Sequence, residues 1–87
     1  MASLALRMNF FSAPDAAKLY PAWKEWQEDL DNYLVASDIH DSARKKAILT
    51  YFANQDMKEV LRDADGSYEE AIDKLEEHFS RYLNRNI

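Results

Sequence analysis

Glycine and proline are scarce in this 87-residue chain, which has only Gly66, Pro14 and Pro21. A β-rich fold of this length needs several tight turns, and those turns depend on glycine and proline. The length corresponds to one small domain with a modest core. The sequence therefore predicts a single all-α domain, an orthogonal bundle of four to five helices.

The first predicted helix spans residues 21–36. Proline suits the first turn of a helix, and Pro21 stands where the apolar pattern starts. The apolar positions that follow share one face: Trp23, Trp26, Leu30, Tyr33 and Leu34. Val35 lies outside this face.

Two shorter helices are predicted next. Asp41 or Ser42 is expected to cap a helix that runs to about Ala53. Its apolar residues point around most of its circumference, which is typical of a central, buried helix. Asp56 is expected to cap a third helix, which stops at Gly66 in the left-handed conformation.

The fourth predicted helix has the strongest signals. Ser67 and Glu70 match a capping box, in which the Ser67 oxygen accepts from the Glu70 amide and the Glu70 carboxylate returns to the Ser67 amide. The apolar stripe that follows lasts four turns, and Leu75 lies in its middle. We therefore expect Leu75 near the centre of the core. The full predicted core is Trp23, Trp26, Leu30, Leu34, Ile48, Leu61, Ile72, Leu75 and Phe79.

The N-terminal part of the chain has no sustained helical period. We expect residues 1–9 to form a flexible or extended segment and residues 10–87 to form the helical domain. The short apolar stretch from Met8 to Phe11 is expected to lie extended over the bundle.

Eleven Lys and Arg against sixteen Asp and Glu give a net charge of -5. Affinity for nucleic acids comes largely from cationic side chains, so this domain is not expected to bind them directly. The one basic run, Arg44-Lys45-Lys46, spreads over roughly 200° of a helix and makes no cationic stripe. No apolar stretch approaches membrane-spanning length. We expect a cytoplasmic protein that does not bind membranes.

The sequence offers no convincing catalytic, metal or cofactor residues. It has no cysteine. His40 and His78 do not form the i, i+4 histidine pair that a helix presents to zinc. No serine has the glycine neighbours of a nucleophile elbow, and one glycine cannot make a phosphate-binding loop. We therefore expect no enzyme activity, bound metal or cofactor.

Three apolar residues fit no helical stripe, namely Phe10, Phe11 and Val35. Eleven aromatic residues, four Phe, five Tyr and two Trp, are many for a domain of this size. Apolar surface left outside a core favours contact with a partner. We therefore predict that Phe10, Phe11 and Val35 are protein-interaction residues.

The ordered residues resemble the Gag capsid region of gypsy-type long-terminal-repeat retrotransposons over roughly residues 10–80. Three segments carry the resemblance: Trp23-x-x-Trp26-x-x-x-Leu30-x-x-Tyr33-Leu34-x-Ala36-x-x-Ile39, Asp41-x-x-Arg44-Lys45-x-Ala47-Ile48-Leu49 and Ser67-Tyr68-Glu69-x-Ala71-Ile72-x-x-Leu75-x-x-His78-Phe79. Leu30 departs from the family pattern, where phenylalanine is more frequent. The segment 53–56 also lacks the glycine that often separates the middle helices.

The resemblance implies an N-terminal capsid lobe that packs with copies of itself in a shell around RNA, without enzyme activity. In this family RNA capture belongs largely to a basic, zinc-knuckle region outside the lobe. A domesticated lobe that binds short apolar peptides, as in neuronal Arc proteins, is the alternative. An unrelated helical adaptor is a third interpretation.

Overall fold

The computed structural model describes residues 8–12 and 15–84, which contain four α-helices, two 3₁₀ turns and no strand. The helices are α1 (Leu19–Ala36), α2 (Ser42–Phe52), α3 (Gln55–Leu61) and α4 (Tyr68–Ser80). The 3₁₀ turns are Ala16–Lys18, which leads into α1, and Arg81–Asn84, which follows α4. The predicted all-α class and the number of helices are confirmed.

Helix α1 begins at Leu19, two residues before the predicted start. Pro21 is therefore the third residue of the helix. The first four amides of a helix have no partner within it, so the missing N–H of Pro21 costs nothing there.

The C-terminus of α1 is capped without a glycine residue. Asp38 adopts φ 58°, in the left-handed region. Its amide donates to the Val35 carbonyl at 3.0 Å, and the Ile39 amide donates to the Leu34 carbonyl at 3.0 Å. These two bonds form a Schellman motif, in which a small polar residue replaces the usual glycine.

Polar side chains also mark the starts of α2 and α4. Asp41 caps α2, because its carboxylate accepts from the Arg44 amide at 2.9 Å. The Ser67 hydroxyl accepts from the Glu70 amide at 3.2 Å, which confirms the serine half of the predicted capping box of α4. The Glu70 carboxylate lies against Gly66, where an added Cβ would overlap it.

The start and end of α3 differ from the prediction. Asn54, not Asp56, caps the helix, because its side-chain oxygen accepts from the Met57 amide at 2.9 Å. The helix ends at Leu61, well before Gly66. Gly66 does not have a positive φ, so the predicted left-handed cap is wrong.

Helix α4, not α2, is the centre of the domain. It packs against each of the other three helices and the C-terminal 3₁₀ turn. Tyr68, Ala71, Leu75 and Phe79 are buried along it, and Leu75 is completely inaccessible, as predicted. Only Leu49 is buried on α2, so the prediction that α2 is a buried central helix is wrong.

The core contains most of the predicted residues. Those that are buried are Trp23, Trp26, Leu30, Leu34, Leu61, Leu75 and Phe79. Ile48 and Ile72 are partly buried and pack against this core instead of lying within it. Both lie at the edge of their helix's buried face, where solvent reaches part of the side chain.

Residues 8–12 form a non-helical segment, here called the N-terminal strap. Asn9 accepts a hydrogen bond from the Trp26 indole at 2.8 Å, and the Phe11 amide donates to the Phe52 carbonyl at 3.0 Å. Met8 packs against the core. Met8 and Asn9 therefore contact the helical bundle, which agrees with the expectation that the stretch from Met8 to Phe11 lies over it. Residues 1–7 lie outside the described part of the chain.

The Glu76 carboxylate on α4 joins this helix to α1. It accepts hydrogen bonds from the Tyr20 hydroxyl, from the Trp23 indole at 2.9 Å and from the Lys24 ammonium at 3.2 Å. Partial burial raises the pKa of Glu76, but these three donors outweigh burial and hold the pKa below its usual value. The ionised carboxylate is therefore the form that the fold favours.

The pKa of Glu76 predicts how stability depends on pH. Since folding lowers the pKa, the stabilisation is complete above the unfolded-state pKa and is lost as pH falls through the folded-state pKa. In urea unfolding between neutral and acidic pH, we expect the free energy of unfolding to fall less steeply for Glu76→Gln than for the wild type. Parallel curves for the two proteins would contradict this role.

The left-handed Asp38 residue predicts a difference between two substitutions. Asp38→Gly and Asp38→Ala both remove the side-chain bond to the His40 ring. Only alanine retains the Cβ that disfavours φ 58°. We expect the alanine variant to be less stable than the glycine variant by about 1 kcal/mol. Thermal melts of both variants provide the measurement, and equal midpoints would count against the motif.

Candidate protein-interaction surface

Three large hydrophobic side chains are exposed in the described part of the chain. Their exposed fractions are 57% for Phe10, 74% for Val35 and 64% for Tyr51. Phe10 and Val35 are among the predicted interaction residues, whereas Tyr51 is not. Their exposure makes all three available to a partner.

Phe10 and Tyr51 form one surface feature, here called the Phe10–Tyr51 patch. Their ring centroids are 5.5 Å apart, and the Phe10 ring also lies 5.1 Å from the Phe52 ring. The Tyr51 and Phe52 rings meet edge to face at 5.0 Å. The strap thus adds an aromatic side chain to the outer surface of α2.

A wide, open groove lies beside Tyr51. We call it the α2 groove, and its volume is about 950 Å³. It is lined by Ser42, Ala43, Lys46, Ala47, Thr50, Tyr51, Lys58 and Gly66. Ala43, Ala47 and Tyr51 follow one another at i, i+4 and i+8, so they form an apolar line along the helix. The two charged residues in the lining are both lysines.

The α2 groove explains why the apolar residues of α2 suggested a central helix. Leu49 faces the core, while Ala47 and Tyr51 are exposed on the outside. A helix that is apolar all round is either buried or presents an apolar face to solvent. The pattern contained the signal for this surface, but periodicity alone does not distinguish the two cases.

Phe11 does not belong to the interaction surface, so its prediction as an interaction residue is wrong. It is 5% exposed and lies in the core. Its ring meets the Trp26 ring edge to face at 5.7 Å and contacts the Phe79 ring at 5.5 Å. A residue outside any helical stripe can still be buried when a non-helical segment carries it across the bundle.

The lysines of the basic run have partners within the domain. Lys46 donates to the backbone carbonyls of Ala64 and Gly66. The Lys45 ammonium lies 5.5 Å from the centroid of the Tyr68 ring. Lys45 and Lys46 thus stabilise the contact between α2 and the start of α4 instead of forming a cationic stripe.

Two further side chains link α2 and α1 to the start of α4. The Ser42 hydroxyl accepts from the Tyr68 amide at 2.9 Å, and the Tyr68 hydroxyl donates to the Asp31 carboxylate at 3.0 Å. Burial and the charge of Asp31 raise the pKa of Tyr68, which keeps its hydroxyl a donor. This corner of the domain is therefore fixed by polar contacts.

The two histidines bind neighbouring carboxylates. The His40 ring lies 2.7 Å from an Asp38 oxygen, and the His78 ring lies 2.9 Å from an Asp56 oxygen. His78 also meets the Phe79 ring edge to face. Within the described ranges, no three His, Asp or Glu side chains are grouped so that they could hold a metal ion.

Comparison with known proteins gives no family for this chain. It matches no family model, no curated protein and no solved structure. Its surface and contacts are therefore the basis for any functional argument. In residues 8–12 and 15–84, no helix combines the length and apolar character needed to cross a membrane.

The different positions of Phe10 and Phe11 predict different effects of truncation. Phe11→Ala should lower the free energy of unfolding by about 3–5 kcal/mol, because it leaves a cavity beside Trp26 and Phe79. Phe10→Ala should cost about 1 kcal/mol or less, since its ring is mostly in solvent. Urea unfolding of the two variants tests this, and an equal cost would contradict the assignment of one ring to the core and the other to the surface.

Proposed function

We propose that this domain is a structural self-association module of a Gag-like capsid protein, which packs with copies of itself in a shell around RNA. The exposure of Phe10, Val35 and Tyr51 is the observation that carries the proposal. The all-helical fold and the ordered residues that resemble the gypsy-type Gag capsid region support it. Apolar side chains in solvent contribute free energy when a second surface covers them.

The proposal assigns enclosure of RNA, not direct RNA contact, to this domain. The net charge is -5, and Lys45 and Lys46 already have partners inside the fold. A shell needs only contacts between protein copies. The proposal includes no catalytic residue and no cofactor, and it places the protein in the cytoplasm.

A domesticated lobe that binds short apolar peptides is the alternative function. The α2 groove favours it, because an open apolar groove beside an exposed aromatic ring suits an extended ligand. Peptide binding and self-association use the same kind of surface but differ in stoichiometry. They can therefore be separated by experiment.

Sedimentation velocity over a range of protein concentrations tests the proposal. Association with copies costs about 4–15 kcal/mol in lost translational and rotational freedom, so a small contact is expected to be weak. We expect the wild-type sedimentation coefficient to rise with concentration. A Phe10→Ser, Val35→Ser double variant should remain monomeric at the same concentrations, since it removes two of the exposed apolar side chains.

The control variant is Glu59→Ser, Arg62→Ser, which replaces two exposed charged side chains on and just after α3. It should associate like the wild type. A wild-type protein that stays monomeric while binding short apolar peptides would replace the assembly proposal with the peptide-binding one. Electron microscopy of concentrated protein provides an independent readout, in which assembly predicts particles.

A further inference from the structure

The α2 groove includes two lysines on a protein whose net charge is -5. Lys46 donates to the Ala64 and Gly66 carbonyls, and the Glu70 carboxylate lies against Gly66 at the same end of the groove. Lys58 is therefore the cation that the groove offers to a partner. The apolar residues of the groove are Ala43, Ala47 and Tyr51. An occupant that fits this groove has an apolar side chain flanked by carboxylates.

The outer face of α1 has an apolar side chain flanked by carboxylates. Four exposed residues lie within roughly 100° of one another around the axis of α1. We call them the α1 ridge, which consists of Glu28, Asp31, Asn32 and Val35. The ridge has two carboxylates, and Lys24, the cation one turn before Glu28, is paired with Glu76 of α4. Val35, which is 74% exposed, is the apolar residue of the ridge.

The ridge and the groove lie on either side of Tyr68. Asp31 of the ridge accepts from the Tyr68 hydroxyl, and Ser42 of the groove accepts from the Tyr68 amide. Val35 and Tyr51 are both exposed in the folded domain, so neither surface covers the other within one copy.

We propose that the α1 ridge of one copy docks into the α2 groove of a second copy, with Val35 beside Tyr51 and Glu28 near Lys58. This inference rests on the proposed self-association and specifies its two surfaces. Because the surfaces differ, each copy has one ridge and one groove to offer. Two copies close into a two-fold pair if both ridge–groove contacts form at once, and a single contact continues head to tail into rings or open chains.

Two variants with substitutions at exposed positions test the pairing. The groove variant is Tyr51→Ser, Lys58→Glu, and the ridge variant is Glu28→Lys, Val35→Ser. We expect each to weaken self-association by at least about tenfold in sedimentation velocity. The wild-type association should also weaken as salt is raised, since exposed charges are screened.

An equimolar mixture of the two variants is the decisive sample. The groove variant retains an intact ridge, and the ridge variant retains an intact groove, so the mixture contains one functional pair of surfaces. We expect one-to-one heterodimers and no larger species. If either variant self-associates as strongly as the wild type, or if the mixture stays monomeric while the wild type associates, the pairing is wrong.

A matched control and a second variant complete the test. Asp73→Lys, Lys74→Glu makes the same kinds of charge change on the exposed face of α4 and should leave association unchanged. If a double variant fails to fold by circular dichroism, the single-chain exchange Glu28→Lys, Lys58→Glu replaces it. This exchange should restore the association that Lys58→Glu alone removes.

The same samples separate failure of this inference from failure of the proposed function. A wild-type protein that associates regardless of the ridge and groove substitutions retains the self-association proposal but overturns the pairing. A wild-type protein that is monomeric at every concentration overturns both. Binding of an apolar peptide in the α2 groove of such a monomer would instead favour the peptide-binding alternative.

Discussion

The stack of Trp23 on Phe79 is the contact on which the domain depends. The two rings lie 5.2 Å apart and nearly parallel, and both side chains are almost fully buried. The Trp23 indole also donates to Glu76, one turn before Phe79 on α4. Apolar and polar contacts therefore hold α1 against α4 at the same place. The remaining helices pack around α4, whose position relative to α1 this contact sets.

The N-terminal strap connects this core to the candidate interaction surface. Phe11 completes the aromatic cluster with Trp26 and Phe79, while its neighbour Phe10 lies outside against Tyr51. The same short segment therefore contributes one ring to the core and the next ring to the exposed patch.

The sequence indicated part of the candidate site. Phe10 and Val35 were recognisable because they fit no helical stripe, and both are exposed. The same reasoning failed for Phe11, since an aperiodic residue can be buried by a segment that crosses the bundle. Tyr51 was missed because its helix is apolar all round. The left-handed turn at Asp38 was also missed, because glycine is the usual signal for this conformation and aspartate adopts it only occasionally.

By itself, the sequence determined the number and type of helices, the Ser67 cap and the buried face of α4. These features are local, since they depend on periodicity and on side chains that bond the backbone a few residues away. Tertiary structure alone decided which helix lies at the centre and which apolar residues stay in solvent. Burial is a property of the neighbours that surround a side chain, and those neighbours come from distant parts of the chain. Helix α2 packs against α3 and α4, and its Leu49 is fully buried, while Ala47 and Tyr51 of the same helix stay exposed.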